Sequence, residues 1–191
     1  KEVNRQIEIC KNGKEIYALP SDVKINVLKD SVNSPYPEYS PVISADESTL
    51  IFTSRRPEST GYDLTLSGEY YEDIFICYKQ KNGKWSVPVS IGPNINTSGH
   101  EATIGLSADG QQLLIYRDDN GDGNIYISKL EGDIWSKPVK MGSDINSPDW
   151  EPSACISADG STLYFVSDRK GGGYGGRDIY KCVKLPNSEW S

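Results

Sequence analysis

Short apolar runs alternate with polar, turn-forming clusters along most of the chain, and the same succession returns three times. Leu50-Ile51-Phe52, Leu113-Leu114-Ile115 and Leu163-Tyr164-Phe165 each follow a Ser-Ala-Asp turn, at Ser44-Ala45-Asp46, Ser107-Ala108-Asp109 and Ser157-Ala158-Asp159. A second run then opens on Asp or Asn: Asp73-Ile74-Phe75, Asn124-Ile125-Tyr126 and Asp178-Ile179-Tyr180. Runs this short, rich in β-branched and aromatic residues and bounded by turn formers, predict strands. Upstream of each turn stand Asn33, Asn96 and Asn146, followed at a fixed distance by Glu38, Glu101 and Glu151. Downstream stand Trp85-Ser86, Trp135-Ser136 and Trp190-Ser191.

Each unit reads as four strands, a to d. The Ser-Ala-Asp turn is a hairpin between a and b, where Asp bonds its own backbone and a following glycine takes positive φ. Gly110 and Gly160 supply that glycine, whereas the first copy has Glu47. Asn82-Gly83 marks a second hairpin, between c and d. Asp46, Asp109 and Asp159 are 63 and 50 residues apart, and the extra length is an insertion, Pro57 to Tyr71. A period near 50 with four short strands predicts an all-β fold, a β-propeller with three four-stranded blades visible.

The blades span 33–92, 93–142 and 143–191, the last stopping before its strand d. Within 21–32, Val23 to Leu28 sits where strand d sits in Val87 to Ile91 and Val139 to Met141, and reads as the outer strand of a closing blade. A ring takes about 4–8 blades, so the expectation is part of a larger propeller, or a ring completed by self-association. In 1–20, Val3, Ile7 and Cys10 give a weak helical stripe that Pro20 stops. It reads as a short N-terminal helix, the end of a preceding helical-repeat domain docked on the propeller.

Composition narrows the partners. A net charge of −7 without a basic stripe repels phosphate backbones, which argues against nucleic acid. No apolar run nears the roughly 20 residues of a membrane helix. The chain opens Lys1-Glu2-Val3-Asn4 with no signal peptide, as either a cytoplasmic or a processed or trimmed chain would. Cys77 and Cys182 share a position in strand c of non-adjacent blades, too far apart to bridge, and Cys155 matches Val42 and Gly105 in an inner strand. Cys77, Cys155 and Cys182 are expected to be small buried hydrophobes rather than disulfides.

With those residues in view, residues 22–191 resemble the TolB-type, WD-like β-propeller repeat. The motifs are Ser157-Ala158-Asp159-Gly160, Leu163-Tyr164-Phe165-Val166-Ser167-Asp168-Arg169 and Asp178-Ile179-Tyr180. More narrowly, the stretch from Glu38 to Glu47, Thr53-Ser54-Arg55-Arg56 and Gly172-Gly173-Tyr174-Gly175-Gly176-Arg177 are similar to propellers of Bacteroidota envelope proteins. In those proteins a helical-repeat domain precedes the propeller and a peptidoglycan-binding OmpA-like domain follows. Some resemble the PorE component of type IX secretion. The resemblance implies a periplasmic, outer-membrane-associated scaffold whose partners are other envelope proteins or glycan.

In a propeller the d–a and b–c loops share one face. The d–a loops carry Tyr36 and Glu38, His100 and Glu101, and Trp150 and Glu151; the b–c loops carry Arg56, Arg117, Arg169 and Arg177. A residue repeated in every blade usually serves the blade, whereas one that varies is freer to meet a ligand. Glu38, Glu101 and Glu151 are therefore expected to be structural, as are Asp46, Asp109 and Asp159 in the turns. Asp73, Asn124 and Asp178 are expected to fix loops through backbone hydrogen bonds. Tyr36, His100 and Trp150, with Arg56, Arg117, Arg169 and Arg177, are the candidates for partner contact, since aromatic residues and arginine dominate hot spots.

Asp118, Asn120 and Asp122 followed by Gly123 match the opening of a calcium loop, but its twelfth position is Lys129 rather than Glu. A plain hairpin turn explains the same composition. The glycine-rich run Gly171 to Gly176 joins two strands and opens no helix, so it is not a phosphate loop. His100 is the sole histidine, and no G-x-S-x-G elbow or zinc-ligand spacing accompanies it. Glu101 and Glu151 share a face, as glycosidase carboxylates would, yet their repetition has a structural explanation. A non-catalytic interaction module is the favoured reading. The accessory propeller of a peptidase or glycosidase, or a calcium-dependent carbohydrate binder, is the alternative.

Overall fold

The computed structural model describes residues 2–19, 23–28, 32–60, 64–119 and 121–191. Three antiparallel sheets follow one another along the chain. The first contains β1 (Glu38–Ile43), β2 (Thr49–Ser54), β3 (Asp73–Tyr78) and β4 (Val89–Ser90), hydrogen-bonded in that order. The second contains β5 (Glu101–Leu106), β6 (Gln112–Arg117) and β7 (Asn124–Glu131). Its fourth position is divided: β8 (Ile134–Trp135) pairs with the end of β7, and β9 (Val139–Lys140) pairs farther back. The third sheet is β10 (Ser153–Ile156), β11 (Thr162–Ser167) and β12 (Asp178–Val183). The expected strand d is thus only two residues long in the first two repeats.

The turn chemistry appears as hydrogen bonds. In the first hairpin Asp46 accepts from the Ser44 hydroxyl at 2.6 Å and from the Ser48 amide at 3.0 Å, and Ser44 Oγ accepts from the Thr49 amide. Ser107 with Asp109, and Ser157 with Asp159, repeat the arrangement. Gly110 and Gly160 adopt φ of 70° and 68°, and Glu47 is held in the same left-handed region at φ 56°.

The sheets pack face to face. Ile51, Ile74 and Ile76 of the first sheet meet Leu113, Ile115 and Trp135 of the second. Leu114 and Ile125, on the second sheet's other face, meet Ala154, Leu163, Phe165 and Cys182 of the third. β6 is covered this way on both sides, and β2 is covered on its outer face by Val32 and Trp85, which is why both read as continuous apolar runs. Inner strands approach closely at Gly105, where a Cβ would stand 3.0 Å from the Ala154 carbonyl. Asparagines bind neighbouring sheets together. Asn96 exchanges both amide hydrogen bonds with the backbone of Ile74, and Asn146 does the same with Ile125.

Three expectations are corrected. Residues 23–28 are assigned to no strand, and Val23, Ile25 and Val27 are exposed. The helix α1 (Glu2–Tyr17) forms, but none of its residues is buried, so the stripe of Val3, Ile7 and Cys10 faces solvent rather than a docking surface. Pro20, its expected stop, lies outside the described residues. Cys77 and Cys182 are buried, but Cys155 is exposed. The register explains this: Cys155 lies opposite Tyr164 and Lys181, on the face turned away from the second sheet.

Candidate partner-binding face

The d–a and b–c loops gather at one end of the sheets in two tiers. The lower tier is a repeated clamp. Glu151, fully buried, accepts from the amide and hydroxyl of Ser147 and from the Ser167 hydroxyl at 2.7 Å, with Arg169 Nη2 at 3.5 Å. Arg169 also donates to Ser167 Oγ and to the carbonyls of Asp144 and Ile145. In the first repeat Glu38 binds Ser34, Ser54 and Arg56, and Arg56 donates to the Val32 carbonyl at 3.0 Å. In the second, Glu101 binds Thr97, with Arg117 Nε at 3.6 Å.

Arg117 occupies the register position of Ser54, two residues ahead of the place of Arg56. Its guanidinium still reaches the Ile95 carbonyl, the equivalent of Val32 and Ile145. Beneath each clamp lies an aromatic ring: Phe75 under Arg56 at 4.8 Å, Tyr126 under Arg117 at 5.6 Å, and Phe165 under Arg169 at 4.9 Å. Arg56, Arg117 and Arg169 were expected to meet a partner. Each donates to a backbone carbonyl within the blade, and Arg56 is buried.

The loop-fixing residues divide. Asp73 Oδ2 accepts from the Thr60 amide, and Asp178 Oδ2 from the amides of Tyr174 and Gly175. Asn124 donates to the Asp119 carboxylate rather than to backbone. Burial raises the Asp73 carboxyl to about 6, and its Oδ1 has no hydrogen-bond partner among the described residues.

The upper tier varies between repeats. The second and third d–a loops each rest on the b–c loop of the preceding sheet, through Glu101 N to Glu72 O at 3.4 Å and Glu151 N to Gly123 O at 3.0 Å. His100 bonds through Nδ1 to Glu72 and lies 4.6 Å from the Tyr71 ring. Glu72 also pairs with Arg55, which pairs in turn with Glu69. Burial opposes ionisation of Glu72, but hydrogen bonds from His100 and Arg55 outweigh it and hold the carboxyl below its usual range.

Trp150 donates from Nε1 to the Tyr116 hydroxyl at 3.1 Å, and Arg177 lies 5.0 Å over its ring. Gly123 makes this possible: at φ 48°, a Cβ there would stand 2.3 Å from the Trp150 ring and 2.6 Å from that of Tyr116. Tyr36 meets Tyr70 edge to face at 5.9 Å. Between the His100 and Trp150 groups lies a cavity of about 250 Å³, also walled by Tyr39, Glu72 and Tyr116.

The structure thus brings His100, Trp150 and Arg177 into a partly exposed aromatic cluster. Sequence reasoning missed Arg55, Glu69, Tyr70, Tyr71, Glu72 and Tyr116. Most of these come from the insertion or its borders, where no second repeat offers a comparison. In the candidate calcium loop, Asp118 caps the Gly121 amide, while Asp119 is engaged by Tyr126 and Lys140. Asn120 lies outside the described residues, and the described residues hold no cluster of three or more potential His, Cys, Asp or Glu ligands.

Comparison with solved structures places the fold. TolB from Acinetobacter baumannii superposes with a TM-score of 0.54 at 20% identity, over 84% of this chain and 33% of that one. TolB from Agrobacterium tumefaciens gives 0.41 at 17% identity, over 78% and 59%. A puromycin-hydrolyzing peptidase of Mycobacterium tuberculosis gives 0.47 at 17% identity, over 83% and 22%. The chain has the fold of a partial, TolB-like β-propeller. It spans less than two thirds of each of these proteins. No protein-family model and no curated protein sequence matches it. No helix among the described residues is long and apolar enough to cross a membrane.

Proposed function

We propose that this chain is a non-catalytic interaction module of a bacterial cell-envelope protein, presenting the face of Tyr36, His100, Trp150 and Arg177 to another envelope component. The observation that carries this reading is the division between the tiers. In each repeat a glutamate and an arginine hold the loop from within the blade, the second arginine two residues out of register, while the aromatic residues above them differ and remain partly exposed. Rigidly supported aromatic side chains beside an arginine are the composition of binding hot spots. Among the described residues His100 hydrogen-bonds only to Glu72, which supports recognition rather than nucleophile activation. The shared fold with TolB and the sequence resemblance to Bacteroidota envelope propellers support a periplasmic, outer-membrane-associated scaffold, with type IX secretion as the narrower assignment.

A photo-crosslinking amino acid at Tyr36 or Arg177, introduced in the organism that makes the protein, tests this. Expected are discrete adducts to an envelope protein or glycan, absent when the same group replaces Lys137, in the linker between β8 and β9. Adducts to soluble cytoplasmic proteins alone, or equal yields at all three positions, would contradict it.

A further inference from the structure

The cavity of about 250 Å³ between the His100 and Trp150 groups is lined by side chains that reach water. Tyr39, Glu72, His100, Tyr116 and Pro152 are half-buried there, and Trp150 is exposed. Part of the lining is polar and already ordered. Glu72 accepts from Arg55 and pairs with Nδ1 of His100, which leaves Nε2 of His100 without a hydrogen bond among the described residues. Burial, and then the Glu72 carboxylate, push the Tyr39 hydroxyl up and keep it a neutral O–H. The Tyr116 hydroxyl accepts from Nε1 of Trp150 at 3.1 Å and retains its own proton to donate. Beside these groups stand Ile104, Pro152 and the Trp150 ring. The backbone of β1 is bent at the same place. Its register shifts between Tyr39 and Val42, and Ser40, also in the lining, takes φ of 49°. Strain of this kind persists where the surroundings over-determine it, and it clusters at ligand sites.

We propose that this cavity binds a single neutral sugar ring, which makes glycan the partner of the loop face and rests on the reading of that face as a binding surface. A pyranose matches the lining twice. Its C–H face covers Trp150 and Pro152, and its hydroxyls meet Tyr39, Tyr116, Glu72 and Nε2 of His100 as donors and acceptors. Other occupants leave part of the lining unmatched. An aliphatic or aromatic side chain of a protein would strip water from Glu72, His100 and the two phenols without replacing its hydrogen bonds. A cation finds Glu72 already paired with Arg55, and an anion meets that carboxylate in a lining with no Lys or Arg. The volume of about 250 Å³ falls below the roughly 300 Å³ at which drug-sized sites begin, and leaves room for one ring.

The test titrates the 191-residue chain with methyl β-glucopyranoside, methyl β-galactopyranoside, methyl α-mannopyranoside and N-acetylglucosamine. Cyclohexanol serves as the apolar ring and glucuronate as the anionic one. At least one neutral sugar is expected to bind with a Kd of about 1–10 mM, about fivefold or more tighter than either control, and to keep that affinity in about 0.5 M salt. The Trp150 indole and His100 imidazole resonances shift with the sugar, while the Trp190 indole stays in place. Tyr39→Phe and Tyr116→Phe each weaken binding about threefold to tenfold with the fold intact by circular dichroism. No neutral sugar bound at about 50 mM, cyclohexanol bound as tightly as the best sugar, or full affinity in both variants would overturn the proposal. Crosslinking from Tyr36 and Arg177 separates the two readings. Discrete protein adducts beside a failed titration overturn the sugar site alone, whereas a failed titration without adducts overturns both.

Discussion

Glu47 occupies the left-handed region at φ 56° in a hairpin where the other two repeats have glycine. The strain of an L-residue there is roughly 1 kcal/mol, while its ion pair with Lys79 is exposed and adds little. Glu47→Gly is therefore expected to raise stability by about 0.5–1 kcal/mol, read as an increased denaturant midpoint. Asp73 is the second strained residue. Its carboxyl, raised to about 6 mainly by burial, disfavours the charged form in the folded state. The destabilisation is fully present above pH 6 and is relieved as pH falls toward the ordinary 3.8, because the folded protein takes up the proton first. Asp73→Asn, which copies Asn124, is expected to stabilise the protein by about 1 kcal/mol at pH 7. The advantage should disappear near pH 4, about where the unfolded carboxyl also protonates. An advantage independent of pH would contradict this assignment.

At the level of elements, the clamp and the loop above it make separable demands. Glu151→Ala leaves two serine hydroxyls and Arg169 without their shared acceptor in a buried site, and should cost about 2–3 kcal/mol of folding stability. Gly123→Ala acts on the upper tier. Its new methyl group collides with Trp150 and Tyr116, so the Trp150 ring is expected to leave its place, with loss of about 1–3 kcal/mol and a changed Trp150 indole resonance. How much of this was legible follows from the same elements. The blades, the hairpin turns and the structural glutamates could be read because repetition exposes positions that every sheet needs. The arginine clamp was not legible: Arg56 and Arg169 find their carbonyls 24 residues upstream, a pairing with no periodic signature. Residues 23–28 show the opposite failure. Their alternation suits a strand, but a strand is set by backbone pairing and not by side-chain pattern alone. The exposed Cys155 followed from parity along β10, which a repeat alignment alone does not weigh against the neighbouring sheet.

For the whole molecule, the outer face of the third sheet presents Tyr164, Ile179 and Val183, all exposed. In the second sheet, Leu114 and Ile125 hold the positions of Tyr164 and Ile179 and pack against a neighbour. Exposed apolar sheet surface and unpaired edges favour association. The 191-residue chain is expected to self-associate with rising concentration in sedimentation velocity, and Ile179→Lys to suppress this; a monomer at every concentration would contradict it. The central claim, that repeated residues hold the face and variable ones use it, is tested most directly by measuring thermal melting and the crosslinking yield from position 36 side by side for Trp150→Ala and Glu151→Ala. Trp150→Ala should melt close to the parent protein and lose most of its adduct. Glu151→Ala should melt several degrees lower and, below its transition, keep the adduct. The reverse pattern, or an adduct insensitive to Trp150, would contradict the account.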